Sequence, residues 1–76
     1  MKSDTSNMQA DEAATVLTTV EAARYVRLGK PTLERFRLTG EGPKFCKLGG
    51  AVRYRRLDLD RWLDSRLIRS TSELTK

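Results

Sequence analysis

The sequence reads PTLERFRL over residues 31–38, a pattern that favours a short amphipathic helix. Three-residue spacing turns Leu33 and Phe36 to the same side of that helix. We therefore expect a narrow apolar edge and a basic outer face, and we expect that face to enter DNA. At about 100° of rotation per residue, the residues that point away from the apolar edge are Pro31, Glu34 and Arg35.

Both ends of this helix carry recognisable signals. Pro31 suits the first helical position, where a missing N–H group costs nothing. Gly40 suits the position just past the last helical residue, where φ is often positive. The helix is therefore predicted to begin at Pro31 and to end before Gly40.

A shorter helix is predicted directly before it, over about residues 19–26. TTVE at residues 18–21 matches a capping box, in which the first and last side chains satisfy each other's backbone N–H groups. Only the short segment RLGK, residues 27–30, separates the two helices. The apolar spacing is typical of a helix-turn-helix unit, with the contact positions at Ala23, Leu28, Leu33 and Phe36.

Two strands are predicted after the loop of residues 39–43. They are Lys44–Leu48 and Ala51–Arg55, and they flank Gly49-Gly50, which is a hairpin signal. Farther upstream, Val16 and Leu17 either form a brief strand or cover the core. The hairpin must pack against the helices, since two helices this short are not stable alone.

The register of this hairpin stays open at the level of sequence. A two-residue turn pairs Phe45 with Tyr54, whereas a longer turn pairs Cys46 with Tyr54. In either register Val52 and Tyr54 share one face, which we expect to be the inner one. The other face carries Arg53 and Arg55.

A third helix is predicted over about Asp58–Leu67. Its apolar residues follow helical spacing, and Asp58 and Asp60 favour its positive N-terminal end. Trp62, the only tryptophan, takes a core position in this pattern, so we expect it to pack rather than to stack on bases. The apolar edge consists of Leu59, Trp62, Leu63 and Leu67.

Seventy-six residues allow one small domain. Residues 1–14 are polar or small without sustained periodicity, and we expect a disordered leader there. The folded domain is predicted to span residues 15–68. Residues 69–76 are expected to form a flexible tail.

Several functional classes are excluded by composition. The chain has no histidine, which removes His-dependent nucleophile systems and imidazole metal ligands. Its one cysteine, Cys46, cannot form an intramolecular disulfide and is expected to be a packed, passive thiol. No segment resembles a membrane span or a signal peptide. We therefore expect a cytoplasmic, nucleoid-associated, non-catalytic protein without metal, cofactor or small-molecule ligand.

Positive charge is concentrated in the middle of the chain. From Arg24 to Arg56 there are ten Lys or Arg residues against Glu34 and Glu41, a net charge of +8. The segment up to Ala14 has a net charge of −2. Such a block indicates a polyanionic partner, although a merely solvated basic face is the alternative.

The sequence also resembles a known family, the excisionase and AlpA-like group, which is related to the DNA-binding heads of MerR-type regulators. The resemblance rests on LTTVEAARYVRLGKPTLERF and GPKFCKLGGAVRYRRLDLDRWL and covers about residues 16–67. It implies a small α+β fold, the winged helix-turn-helix, with a two-stranded hairpin wing and a C-terminal helix. The second helix would enter the major groove of double-stranded DNA, and the wing would reach an adjacent minor groove or the backbone.

Three positions depart from the usual pattern of this group. Gly29 replaces a common polar helix cap, which weakens capping by at most a few tenths of a kcal/mol. Arg27 stands where the turn often has glycine, so a positive φ there would cost about 1 kcal/mol. Ala51 stands where arginine is frequent near the wing tip, so the expected groove contact is either weaker or shifted toward Arg53.

The candidate DNA contacts follow from residue type and position. Arg35 leads for a base contact, because its guanidinium matches the two acceptors of guanine. Glu34 either accepts from cytosine N4 or pairs with Lys30 or Arg37 on its own helix. The helix begins with Lys30, Pro31 and Thr32, and the free backbone N–H groups of its first turn are expected to meet a phosphate. Candidates for phosphate or minor-groove contact are Arg24, Lys47, Arg53 and Arg55.

One short helix offers few base contacts, so several copies must bind together to single out a site. No long dimerising helix follows Leu67, and we expect copies to line up on direct repeats, touching each other through the wing or tails. The resemblance implies an excisionase of a mobile genetic element acting with a tyrosine recombinase. The alternative is an AlpA-like transcriptional regulator of a phage, plasmid or integrative element. A more remote alternative is a small adaptor that binds protein through its third helix.

Overall fold

The computed structural model describes residues 15–71, so the expected leader and the last five residues of the expected tail lie outside the described residues. Within this range the chain forms three helices and a three-stranded antiparallel sheet, consistent with the predicted winged helix-turn-helix. The longest helices have ten residues, and no helix in this range is long and apolar enough to cross a membrane. The elements are β1 (Val16–Leu17), α1 (Thr19–Val26), α2 (Lys30–Thr39), β2 (Cys46–Leu48), β3 (Ala51–Arg55) and α3 (Arg56–Ser65).

The start and end of α1 agree with the sequence prediction. Thr18 N–H donates to Glu21 Oε1 at 2.9 Å, and Glu21 N–H donates to Thr18 Oγ1 at 3.2 Å, which is the complete capping box. The helix ends at Arg27, where φ is 61° and ψ is 41°. The strain expected at this non-glycine turn residue, about 1 kcal/mol, is therefore present.

The next helix, α2, begins one residue earlier than predicted. Gly29 is its N-cap, so Pro31 takes the second helical position and not the first. The second position is equally compatible with proline, because N–H groups in the first turn have no partner within the helix. At the other end Gly40 has φ 79°, and its N–H donates to Phe36 O at 2.8 Å, as expected for a glycine cap.

The register of the β2–β3 hairpin resolves the alternative left open by the sequence. Cys46 pairs with Arg53 and Leu48 with Ala51, so the turn has two residues. Gly49, the first of them, has φ 64°, as both primed hairpin turns require. We call this hairpin the wing.

The sheet contains one strand more than the predicted hairpin. β1 pairs with the other edge of β3, giving the order β1-β3-β2. The prediction that the first hairpin strand begins at Lys44 is wrong, because β2 begins at Cys46, which pairs with Arg53. Tyr54 pairs with Leu17 of β1 on the opposite edge of β3. Lys44 and Phe45 precede the ladder, and the Phe45 ring lies 6.1 Å from the Tyr54 ring.

The core is small and lies where α1, α2, α3 and β3 meet. Leu17, Val26, Phe36 and Val52 pack around it and remain partly accessible. Val52 and Tyr54 share the inner face of the wing, as predicted. Within the described residues the buried core consists of Ala22, Ala23, Leu33, Tyr54 and Leu59.

The last helix, α3, begins and ends two residues earlier than predicted. Arg55 is its N-cap residue and makes no side-chain cap hydrogen bond. Its guanidinium instead donates two hydrogen bonds to the Asp58 carboxylate in the first turn. Because the helix ends at Ser65, Leu67 falls outside it and is 77% exposed, so its assignment to the apolar edge is wrong.

Trp62 packs as predicted, but at the rim of the core. Its ring lies 6.0 Å from the Phe36 ring, and the side chain is half-buried. Its Nε1–H donates to Glu41 O at 2.9 Å. An indole N–H needs such a partner when it is removed from water, which explains why Trp62 stops at the edge of the core.

The loop after α2 makes a close approach that requires glycine. A Cβ at Gly42 would lie 2.7 Å from Phe36 Cβ, well inside van der Waals contact. We expect Gly42→Ala to lower the free energy of unfolding by about 1–3 kcal/mol, as overpacked sites do. Gly50→Ala is the matched control, because a Cβ there has nothing within 4 Å and Gly50 does not have a positive φ. Urea denaturation measures both variants, and equal midpoints would contradict this account of the loop.

Candidate nucleic-acid interface

One side of α2 is turned toward solvent, opposite the buried Leu33. Pro31, Arg35 and Leu38 are exposed, and Glu34 is half-buried. The arrangement matches the predicted outer face and adds Leu38 to it. We call this surface the outer α2 face, consisting of Pro31, Glu34, Arg35 and Leu38.

The charged groups on and beside this face are held only weakly. Lys30 Nζ lies 3.7 Å from Glu34 Oε2, so Glu34 pairs with Lys30 and not with Arg37. An exposed pair at this spacing contributes about 0.3–0.5 kcal/mol. The Arg35 guanidinium lies over the Phe36 ring, 5.6 Å from its centroid, an interaction of about 0.5–1 kcal/mol at an exposed site. Both cations can therefore be redirected at small cost.

Leu38 is the residue on this face that the sequence prediction missed. It is 89% exposed, the largest exposure among the large apolar side chains of the described residues. Helical spacing would have found it, since Leu38 follows Glu34 by four residues and Arg35 by three. An apolar side chain at this place can contact the C5-methyl group of thymine.

The start of α2 offers fewer free N–H groups than the sequence suggested. Thr32 N–H and Leu33 N–H both donate to Gly29 O, at 3.1 and 3.3 Å, and Pro31 has no N–H. The expected phosphate site of backbone N–H groups is therefore reduced to Lys30. The side chains of Lys30 and Thr32 remain the polar groups at this end of the helix.

The basic residues of the wing lie on two faces and not on one. Lys47 pairs directly with Val52, and directly opposed residues point to the same face of a sheet. Lys47 therefore shares the face of Val52 and Tyr54. Successive residues alternate between faces, which places Arg53 and Arg55 on the other side. Lys47, Arg53 and Arg55 can therefore contact DNA at the same time only if the edge of the wing, and not one of its faces, enters a groove.

Arg55 is largely engaged by α3. Its Nε and Nη2 atoms lie 2.8 and 3.2 Å from the two carboxylate oxygens of Asp58, which is 5% exposed. This hydrogen bond and the carboxylate charge raise the pKa of Arg55 above its ordinary value. Moving Arg55 away would leave Asp58 buried without its partner, so only Nη1 is well placed to contact a phosphate.

Two further candidates are more accessible. Arg24, in the last turn of α1, and Lys47, at the wing, are exposed and make no ion pair with another described residue. Arg53 is half-buried, and its Nη1 donates to Val52 O at 2.8 Å. In the described part of the chain no group of three or more Cys, Asp or Glu residues is arranged to hold a metal ion.

The comparisons with known proteins agree with this geometry. A family model described as a helix-turn-helix domain matches residues 16–67, which covers β1, all three helices and the wing. A helix-turn-helix domain indicates DNA binding. Comparison with curated protein sequences gave no match.

Proposed function

The chain belongs to the helix-turn-helix domain family, the family of excisionase/AlpA-like proteins, and we propose that it is an excisionase of a bacterial mobile genetic element. It acts in the cytoplasm at the nucleoid. Copies bind direct repeats in double-stranded attachment-site DNA and bend or coat that DNA, so that a tyrosine recombinase favours excision. The observation that carries the DNA-binding part is the exposed, weakly restrained outer α2 face beside a basic wing.

The outer α2 face supplies the base contacts in this proposal. Arg35 leaves the Phe36 ring and donates two hydrogen bonds to guanine, an exchange that favours DNA. The ring contact is worth about 0.5–1 kcal/mol, whereas a bidentate arginine–guanine pair is worth about 1–3 kcal/mol of discrimination. Glu34 holds Lys30 in the free protein, and in the complex it either keeps that partner or accepts from cytosine N4.

The remaining proposed residues position the protein on the sugar-phosphate backbone. Lys30, Pro31 and Thr32 lie at the end of α2 that approaches the duplex first. Arg55 has one nitrogen left for a phosphate after its pairing with Asp58. The other proposed backbone or minor-groove contacts are Arg24, Lys47 and Arg53, which come from α1 and the two strands of the wing.

Substitution of a base-reading and a backbone-contacting residue separates these two roles. We expect Arg35→Ala to weaken binding to the preferred duplex by about 1–3 kcal/mol and to flatten sequence preference. Lys47→Ala serves as its counterpart, because it should weaken all sequences alike and reduce the salt slope by about 1. Fluorescence anisotropy titrations across a salt series measure both. Equal affinity of Arg35→Ala and the parent chain for the preferred duplex would rule out the proposed base contact.

The proposed contact between Leu38 and a thymine methyl group is tested by altering the DNA as well as the protein. Deoxyuridine differs from thymidine by the missing C5-methyl group, which is the atom group that an apolar side chain contacts. We expect this replacement at one position of the preferred site to weaken binding of the parent chain. The same replacement should leave the affinity of Leu38→Ala unchanged. A thymine-to-deoxyuridine scan that affects both proteins equally at every position would remove Leu38 from the reading surface.

The number and spacing of bound copies test the proposed array. Duplexes selected from a random pool should contain two or more direct repeats, and footprints should extend cooperatively from one repeat to the next. An isolated short site without cooperativity would contradict the array. Steep loss of binding with added salt is expected of a DNA-binding protein and not of an adaptor that binds only protein.

An excision assay with a tyrosine recombinase and its attachment sites separates the two roles found in the family. We expect excision to rise when this protein is added and to fall with Arg35→Ala. Unchanged excision together with altered transcription from a promoter that contains the repeats would instead identify an AlpA-like regulator.

A further inference from the structure

Arg37 lies on the flank of α2 and turns inward, away from the outer α2 face. Its Nη1 donates to Tyr54 OH at 2.8 Å and to Thr19 Oγ1 at 3.3 Å. Its Cζ lies 5.7 Å from the centroid of the Phe45 ring. One guanidinium therefore contacts the first turn of α1, the residue preceding β2, and β3.

These contacts join parts of the molecule that the backbone leaves apart. The main backbone neighbour of α2 is α1, whereas the wing packs through β3 on α1 and α3. Tyr54 is fully buried, and its ring contacts the Phe45 ring at 6.1 Å. The side chain of Arg37 thus connects α2 directly to β3 and to the segment that precedes β2.

We propose that Arg37 is a positioning residue that fixes the wing relative to the outer α2 face, so that both reach the duplex at once. This inference rests on the proposed DNA-binding function and deepens it. If the wing could rotate relative to α2, it would have to lose that rotational freedom on binding DNA. The entropy cost of this ordering would weaken binding by the wing. Holding the wing in place before binding removes this cost.

Arg37 itself is not a DNA contact in this arrangement. The side chain is half-buried, and the nitrogen with the shortest contact is directed at Tyr54 within the protein. A charged hydrogen bond of this kind is shorter and stronger than a neutral one. Arg37 therefore affects DNA binding indirectly. Its contacts with Tyr54 and Phe45 hold β3 and the segment before β2 in position.

Hydroxyl-radical footprinting of the full chain on its selected duplex tests this role. Tyr54→Phe removes only the hydroxyl that accepts from Arg37 and changes no charge. Arg37→Met removes the donor. Tyr25→Phe is the matched control, because Tyr25 OH donates to Asp60 Oδ1 at 2.6 Å and links α1 to α3. Circular dichroism and the melting temperature show whether each variant is folded.

We expect Tyr54→Phe and Arg37→Met to lose protection at the wing while keeping protection at the α2 site. The salt slope should fall by about 0.9 for each lost phosphate contact, even in Tyr54→Phe, where the protein's charge is unchanged. Tyr25→Phe should keep the complete footprint. A merely structural role would lower the melting temperature and weaken both halves of the footprint together.

Each other result overturns the inference. Full wing protection in Tyr54→Phe and Arg37→Met would show that the wing needs no such support. Loss in Arg37→Met alone would show that Arg37 contacts DNA itself, and loss in both tyrosine variants would show general loosening. If the unmodified chain protects no duplex, the proposed function fails first, whereas a normal footprint of that chain with an unaffected Tyr54→Phe refutes only the role of Arg37.

Discussion

The hydrogen bond between Arg37 and Tyr54 places a polar contact at the edge of a very small core. Among the described residues the buried hydrophobic core has five members, and Tyr54 is the largest of them. Burying its hydroxyl without a partner would cost about 1–3 kcal/mol, a large share of the stability of a domain this size. The arginine that satisfies it comes from the helix whose other side carries Arg35. The hydrogen bond that satisfies the buried Tyr54 hydroxyl is therefore the same one that we propose to position the wing relative to the outer α2 face.

The basic block of the sequence divides into two groups once the contacts are known. One group supports the fold: Arg37 donates to Tyr54, and Arg55 donates to Asp58 in the first turn of α3. The positive charge of these side chains is partly neutralised by a carboxylate or is directed toward the protein interior. The net charge of the block therefore overstates the field that DNA would meet. The accessible part comes mainly from side chains at the end of α1, on α2 and at the wing.

The predictable parts of the fold were those specified by local chemistry. The capping box of Thr18 and Glu21, the glycine cap at Gly40 and the turn at Gly49 each depend on residues a few positions apart, and each is present. The register of the wing depends on pairing between its two strands, and the start of α3 is marked by the pairing of Arg55 with Asp58, which helical periodicity does not reveal. The face of Lys47 follows only from that register, and the role of Arg37 only from the approach of Tyr54 seventeen positions away.

The size of α2 limits how a single copy can select DNA. Each good base contact contributes about 1–3 kcal/mol, and specific binding needs about 4–10 kcal/mol beyond non-specific binding. The outer α2 face carries only Arg35, Glu34 and Leu38 as groups suited to base edges, and Glu34 already has Lys30 as a partner. While Glu34 stays with Lys30, two contacts supply about 2–6 kcal/mol, so one copy reaches only the lower part of the required range. Two adjacent copies double the number of base contacts, and because the wing is held rigidly beside α2, each copy presents the same spacing to its neighbour. The proposed assembly on repeated sites would make up for this shortage of contacts, and the proposed bending or coating of the DNA would result from that assembly.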